Sequence, residues 1–182
     1  MEYSKTVILK NGEKCVLRSC GADDARAVLD VFILTHRQTD FLLSYPDEIT
    51  FTVEEEADFL RKKADSEGEI EIAAFLGGKI AGTAGIEQKG GQFKLRHRAE
   101  MGISVDSACW GLGIGGELMK ACIECAKKAG YEQLELEVAG DNDKAISLYR
   151  KYGFTEYGRN PKGFRCREGG YKELVYMLLE LG

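Results

Sequence analysis

The stretch Trp110-Gly111-Leu112-Gly113-Ile114-Gly115-Gly116 places four glycines in six positions and runs straight into the helical pattern Glu117 to Lys128. Glycine at this density lets the main chain approach a ligand closely. A helix starting here points unpaired N–H groups and the positive end of its dipole outward, which suits phosphate. Two side chains nearby have proton chemistry. Strand alternation puts Glu100 on one face with the small residues Gly102 and Ser104, leaving room for a ligand beside a carboxylate that can accept a proton. Tyr149 carries a phenol that can donate one, although Ala145, Leu148, Tyr149 and Tyr152 also read as a plain apolar helix stripe. On residue types alone, Glu100 is equally an ion-paired strand carboxylate and Tyr149 equally a core aromatic.

Several phosphate-binding turns compete for the glycines. Gly111, Gly113 and Gly116 spell the dinucleotide fingerprint, and Glu135 or Glu137 follows at about the 20-residue spacing at which an acid would bind ribose. The geometry disagrees. That fingerprint places its first glycine directly after a strand, whereas Asp106 to Trp110 intervene after Val105. The next strand should be apolar on both faces, yet Leu134-Glu135-Leu136-Glu137-Val138 alternates. A nucleotide P-loop fails as well, because Glu117-Leu118 stand where Lys and Ser or Thr are required.

The chain as a whole narrows the classes. Its 182 residues fit one domain spanning 1–182, with two prolines and no low-complexity tract to mark a linker. A net charge of −5, from 25 basic and 30 acidic residues, argues against a nucleic-acid partner, which needs clustered cations. No segment approaches the roughly 20 apolar residues of a membrane span. MEYSKTVILKNGEK lacks the apolar core of a signal peptide, so a cytoplasmic protein is expected. Six cysteines then read as free thiols, and Cys122-x-x-Cys125, without a second pair, reads as small apolar helix residues with no metal.

The positioning elements follow from periodicity. Thr6 to Lys10 and Lys14 to Arg18 around Asn11-Gly12 predict a hairpin. Asp23 to His36 predicts a helix, and Thr52-x-x-Glu55 is a capping box opening a second. Strands are expected over Glu69 to Leu76, Lys79 to Gln88 and up to Val105, and, after the glycine turn and a helix over Gly116 to Lys128, over Gln133 to Ala139. A helix begun by Asp141 or Asn142 and stopped by Gly153 leads to strands near Phe154 to Gly158 and Glu173 to Leu179.

In this order, AEMGISVDSACWGLGIGGELM and DNDKAISLYRKYGF strongly resemble the GNAT superfamily of acyl-CoA-dependent N-acyltransferases. The sharp motifs lie within Glu100 to Phe154, and the order of elements extends the resemblance from about Cys15 to the C-terminus. The resemblance implies an α+β fold with a mixed, mostly antiparallel central sheet of six to seven strands flanked by helices, two strands splaying to form the acyl-CoA cleft. It implies acetyl-CoA as co-substrate, no metal, and transfer of the acetyl group to a primary amine by direct attack. Main-chain groups of Leu112, Gly113, Ile114, Gly115 and Gly116 are then expected on the pyrophosphate, and those of Ile103, Ser104 and Val105 on the pantetheine arm. Asn142 is expected to help hold the coenzyme, Glu100 to be the general base, and Tyr149 to approach the coenzyme sulfur as general acid. Trp110 departs from the family's Arg or Gln at the head of the loop.

The acceptor stays open between a small molecule, a polyamine, an amino acid and a protein N-terminus, and the assembly between monomer and homodimer. Thr39 to Glu48 mixes aromatics with three acids, a composition suited either to a cationic amine or to water. His97, His36 and Cys109 read as bystanders, since nothing beside Cys109 would activate a thiolate. A non-catalytic acyl-CoA-binding module is the rival from another class; it would need the glycine turn but neither Glu100 nor Tyr149.

Overall fold

The computed structural model describes residues 1–182. Eight strands form one sheet in the order β1-β2-β3-β4-β5-β6-β8-β7, one strand more than the upper expectation. The opening hairpin pairs β1 (Ser4–Ile8) with β2 (Lys14–Ser19) around Gly12, whose φ of +85° favours glycine. Helices α1 (Ala25–Gln38) and α2 (Val53–Asp65) follow, then β3 (Ile70–Leu76), β4 (Lys79–Gln88) and β5 (Arg98–Val105) as an antiparallel meander. Helix α3 (Ile114–Lys128) crosses to β6 (Gln133–Ala139), and α4 (Asp143–Lys151) leads to β7 (Thr155–Arg165) and β8 (Tyr171–Glu180).

The two faces of the sheet are covered differently. Ile70, Ile72, Ala84, Ile86, Ala99, Met101, Leu134, Leu136 and Val138 point into the main core with Ile114, Leu118, Met119 and Cys122 of α3 and with Ile146 and Tyr149 of α4. A smaller core joins Ala73 to Ala25, Val28 and Leu60 beneath α1 and α2. The predicted capping box opens α2, with Glu55 N–H donating to Thr52 Oγ1 at 3.1 Å and Thr52 N–H to Glu55 Oε2 at 2.8 Å. Farther along α2, the buried ammonium of Lys63 pairs with Glu71 at 3.1 Å and Glu87 at 2.9 Å, pinning the helix to the sheet.

Strand β7 runs seven residues past the predicted end at Gly158. Asn160-Pro161 reads as a strand break, but β7 is the outermost strand and its register shifts between Asn160 and Phe164, so Pro161 falls where no ladder bond is required.

Candidate active site

Helix α3 begins at Ile114, two residues before the predicted Gly116, because Gly113 takes a left-handed conformation (φ +100°) that ends the turn and caps the helix. Gly111 is also left-handed, at φ +82°. The first intrahelical bond runs from Glu117 N–H to the Gly113 carbonyl, leaving the preceding N–H groups unpaired at the helix end, and none of those from Leu112 to Gly116 donates to a loop carbonyl. Ile114 buries its side chain in the core and anchors the turn. Gly116 serves packing: a Cβ there would stand 2.8 Å from the Tyr152 hydroxyl, so its bareness admits α4 beside α3. The residues present therefore fit a diphosphate, held by amides that no side-chain replacement removes.

The cleft opens from a mismatch between β5 and β6. These parallel strands pair only at Arg98 with Gln133, Ala99 with Leu134 and Glu100 with Glu135, and then part. On its other edge β5 stays paired to β4 as far as Val105, and Asp106 N–H donates to the Ala81 carbonyl at 2.9 Å. Antiparallel alternation then turns the main-chain groups of Ile103 and Val105 into the gap and those of Ser104 toward β4. Of the three residues expected on a pantetheine arm, Ser104 thus has its backbone turned to Thr83 of β4 and away from the gap. Trp110 Nε1 donates to the Val105 carbonyl at 2.8 Å, so the residue standing where the resemblance expects Arg or Gln ties the loop to the splayed strand.

Tyr149 is 7% exposed and packs its ring against Phe154 at 6.0 Å between centroids. Burial pushes its phenol up to about 12, so the hydroxyl keeps its proton at neutral pH and is available as a donor. No buried side-chain oxygen or nitrogen is left without a partner, and the Tyr149 hydroxyl bonds to no protein group, so it reaches open space. The two accounts of Tyr149 therefore coexist: the ring is core and the hydroxyl is free. Asn142 caps α4 by accepting from Ala145 N–H at 3.2 Å, which leaves its amide nitrogen unused.

Three carboxylates share the opposite face of the sheet with differing partners. Glu100, its side chain 40% exposed, accepts from Lys89 Nζ at 2.8 Å. Burial of Glu135 works to raise its pKa, but the Arg98 guanidinium, hydrogen-bonded through Nε and, at 2.8 Å, through Nη2, outweighs that and holds it below the usual carboxylate range. Glu137, one turn of the pleat further toward the gap, is exposed and forms no ion pair. Although its surface is exposed, desolvation by the strands around it, then the charge of Glu100, raises its pKa against the opposing charge of Lys89. Sequence reading passed over Glu137 as a base, although its signal was present: the alternation of Leu134 to Val138 sets both glutamates on the face away from the core.

Side chains from distant segments meet at the loop that follows α1. Arg167, between β7 and β8, pairs with Asp47 at 2.7 Å and Glu48 at 3.2 Å, and its backbone N–H donates to the Tyr45 hydroxyl at 3.0 Å. Lys172 lies 5.0 Å from the Phe41 ring and 3.4 Å from Asp141. Two of the three acids expected to meet either an amine or water are therefore engaged within the chain. His36 is buried, which lowers its pKa, and it sits against the Phe32 carbonyl at 2.7 Å within its own helix. His97 stands before β5, where its carbonyl receives the N–H of Glu132 at 2.8 Å. Burial raises the Cys109 thiol, against a thiolate nucleophile, and Cys122 and Cys125 are buried free thiols.

Comparison with known proteins agrees with this geometry. Residues 32–154 match the model of the Acetyltransferase (GNAT) family. The chain is 34% identical over 117 residues to an L-amino acid N-acetyltransferase of Escherichia coli, AaaT, covering 63% of this chain and 70% of that one. It is 34% identical over 94 residues to the N-alpha-acetyltransferase RimI of Mycobacterium tuberculosis, a match spanning 52% of this chain and 57% of that protein. A crystal structure of a GNAT-family acetyltransferase from Streptococcus pneumoniae superposes with a TM-score of 0.88 at 31% identity, covering 91% of this chain and 99% of the other.

Proposed function

The chain belongs to the GNAT family of acetyltransferases, and from that premise we propose that it moves an acetyl group from acetyl-CoA to a primary amine by direct attack in the β5/β6 gap. The observation that carries this reading is the meeting at the β5/β6 gap of unpaired amides from Leu112 to Gly116 with the free N–H groups of Ile103 and Val105, beside α4, where the Tyr149 hydroxyl bonds to no protein group.

The chemistry balances with these groups. The thioester carbonyl is oriented by cleft-facing amides of β5, which stabilise the oxyanion as the amine nitrogen bonds to the carbonyl carbon. Collapse breaks the carbon–sulfur bond, and Tyr149 gives its proton to the departing thiolate. The amine's proton goes to a carboxylate on the acceptor face. We assign this step to Glu137 in preference to Glu100: Glu137 forms no direct ion pair and its pKa is raised on balance, whereas Glu100 is hydrogen-bonded to Lys89. Glu100 then acts through its charge, helping to keep Glu137 basic. Two of the relatives named above are an L-amino acid N-acetyltransferase and an N-alpha-acetyltransferase, which supports an α-amine as acceptor, and in this reading the whole reaction is carried by this chain as a monomer or homodimer in the cytoplasm, with no metal.

A panel of primary amines with acetyl-CoA, followed by release of free thiol, tests the proposal. Turnover of at least one amine is expected, together with a rise in melting temperature on adding coenzyme A but not NAD. Stabilisation by NAD alone would overturn it. Glu137→Gln is expected to reduce kcat roughly 10²-fold or more; if instead Glu100→Gln alone abolishes turnover, the base is Glu100.

A further inference from the structure

A cation stands beside the glycine loop that the loop itself does not supply. At its head the chain carries Trp110, whose indole N–H is committed to the Val105 carbonyl at 2.8 Å. From the opposite side comes the turn between β1 and β2. Lys10 N–H in that turn donates to the Leu112 carbonyl at 3.1 Å, joining hairpin and loop through the main chain. The side chain continues over the loop: a Cβ built on Gly113 would lie 3.8 Å from Lys10 Cγ and 3.9 Å from Cε. Bare Gly113 thus gives the aliphatic stem a surface to lie along, which carries the side chain across the loop as far as Cε and leaves its ammonium within one bond of that point. Lys10 is exposed and forms no ion pair, so no carboxylate of the chain holds its ammonium away from the loop.

We propose that Lys10 is a diphosphate-binding residue of the acyl-CoA site, supplying from the N-terminal hairpin the cationic contact that Trp110 does not make. The inference rests on the acyl-CoA reading of the loop. It has a physical advantage over a lysine projecting freely from the surface, because a stem already laid on Gly113 loses less rotamer freedom when the ammonium meets a phosphate.

Calorimetric titration of acetyl-CoA and of its 3′-dephospho form into the wild type, Lys10→Gln, Lys10→Arg and Lys127→Gln tests it. Lys127 sits at the far end of α3, so its substitution removes the same charge away from the loop. Lys10→Gln is expected to weaken both ligands about three- to tenfold and to flatten the dependence of affinity on salt, while Lys10→Arg stays near the wild type. Turnover of S-acetylpantetheine, which has no diphosphate, should not change in Lys10→Gln. Equal affinity in wild type and Lys10→Gln, an equal loss in Lys127→Gln, or a loss that disappears with the 3′-dephospho ligand would each overturn the assignment. A wild type that binds no acetyl-CoA would instead overturn the reading of the loop, and this proposal with it.

Discussion

The two halves of the cleft are made of different materials. On the proposed coenzyme side, between β5 and the start of α3, the unpaired groups are mostly main chain: amides freed by the helix end and strand groups released by the parting of β5 and β6. On the proposed acceptor side the walls are side chains, and the contacts that close them join residues as far apart as Asp47 and Arg167. A site built from backbone tolerates changes of side chain, such as Trp110, provided the glycines keep their conformations. A site built from ion pairs changes shape with single substitutions, which gives a family with one donor a way to serve many amines.

The sharpest way to break this contrast is Tyr149→Phe, since Tyr149 is the side chain to which the proposed mechanism gives the coenzyme half's chemistry. The ring and its packing on Phe154 remain, so folding and acetyl-CoA affinity should stay near the wild type while kcat falls roughly 10²- to 10⁴-fold in steady-state assays. Equal turnover would return Tyr149 to the core alone. Next in size is Gly113→Glu, which forces a side chain into φ +100° and sets a carboxylate against the diphosphate. Affinity for acetyl-CoA, measured by titration, should drop about a hundredfold, with the two causes together contributing ~2–3 kcal/mol. Unchanged affinity would place the phosphates elsewhere.

The pH dependence sharpens the acceptor half. A raised pKa on Glu137 means that kcat/KM climbs with pH through that value as the carboxylate loses its proton. Glu100→Gln removes one of the charges that raise it, so the acidic limb of the profile should move to lower pH; a limb that stays in place would sever the coupling between the two glutamates. The smallest effect is expected from Arg167→Ala, which opens the clasp on Asp47 and Glu48. These pairs are exposed and screened by solvent, so KM for the amine should change only about two- to fivefold while acetyl-CoA affinity holds. A matching loss of acetyl-CoA affinity would show that the halves are not independent.

How far each half could be read beforehand follows from the same difference. The glycine turn, the capping box at Thr52, the stop at Gly153 and the helical spacing around Tyr149 are local features, in which residue type and backbone conformation are tied within a few positions. Glu100 and Glu137 were both visible as face-sharing carboxylates, but their roles depend on Lys89, which lies across the β4–β5 connection and neutralises one of them. The free phenol of Tyr149 likewise needed the folded core, because only burial sets its proton affinity.

By itself the sequence determined the order of elements, the phosphate turn and the family to which the chain belongs, because hydrophobic period and glycine conformation are properties of short segments. Tertiary structure alone decided which carboxylate is unpaired, where β5 and β6 separate, and that the N-terminal hairpin lays Lys10 over Gly113. Those facts come from contacts between residues from eleven to more than a hundred positions apart, and Coulomb energy and desolvation depend on distance in space, of which separation along the chain carries no record.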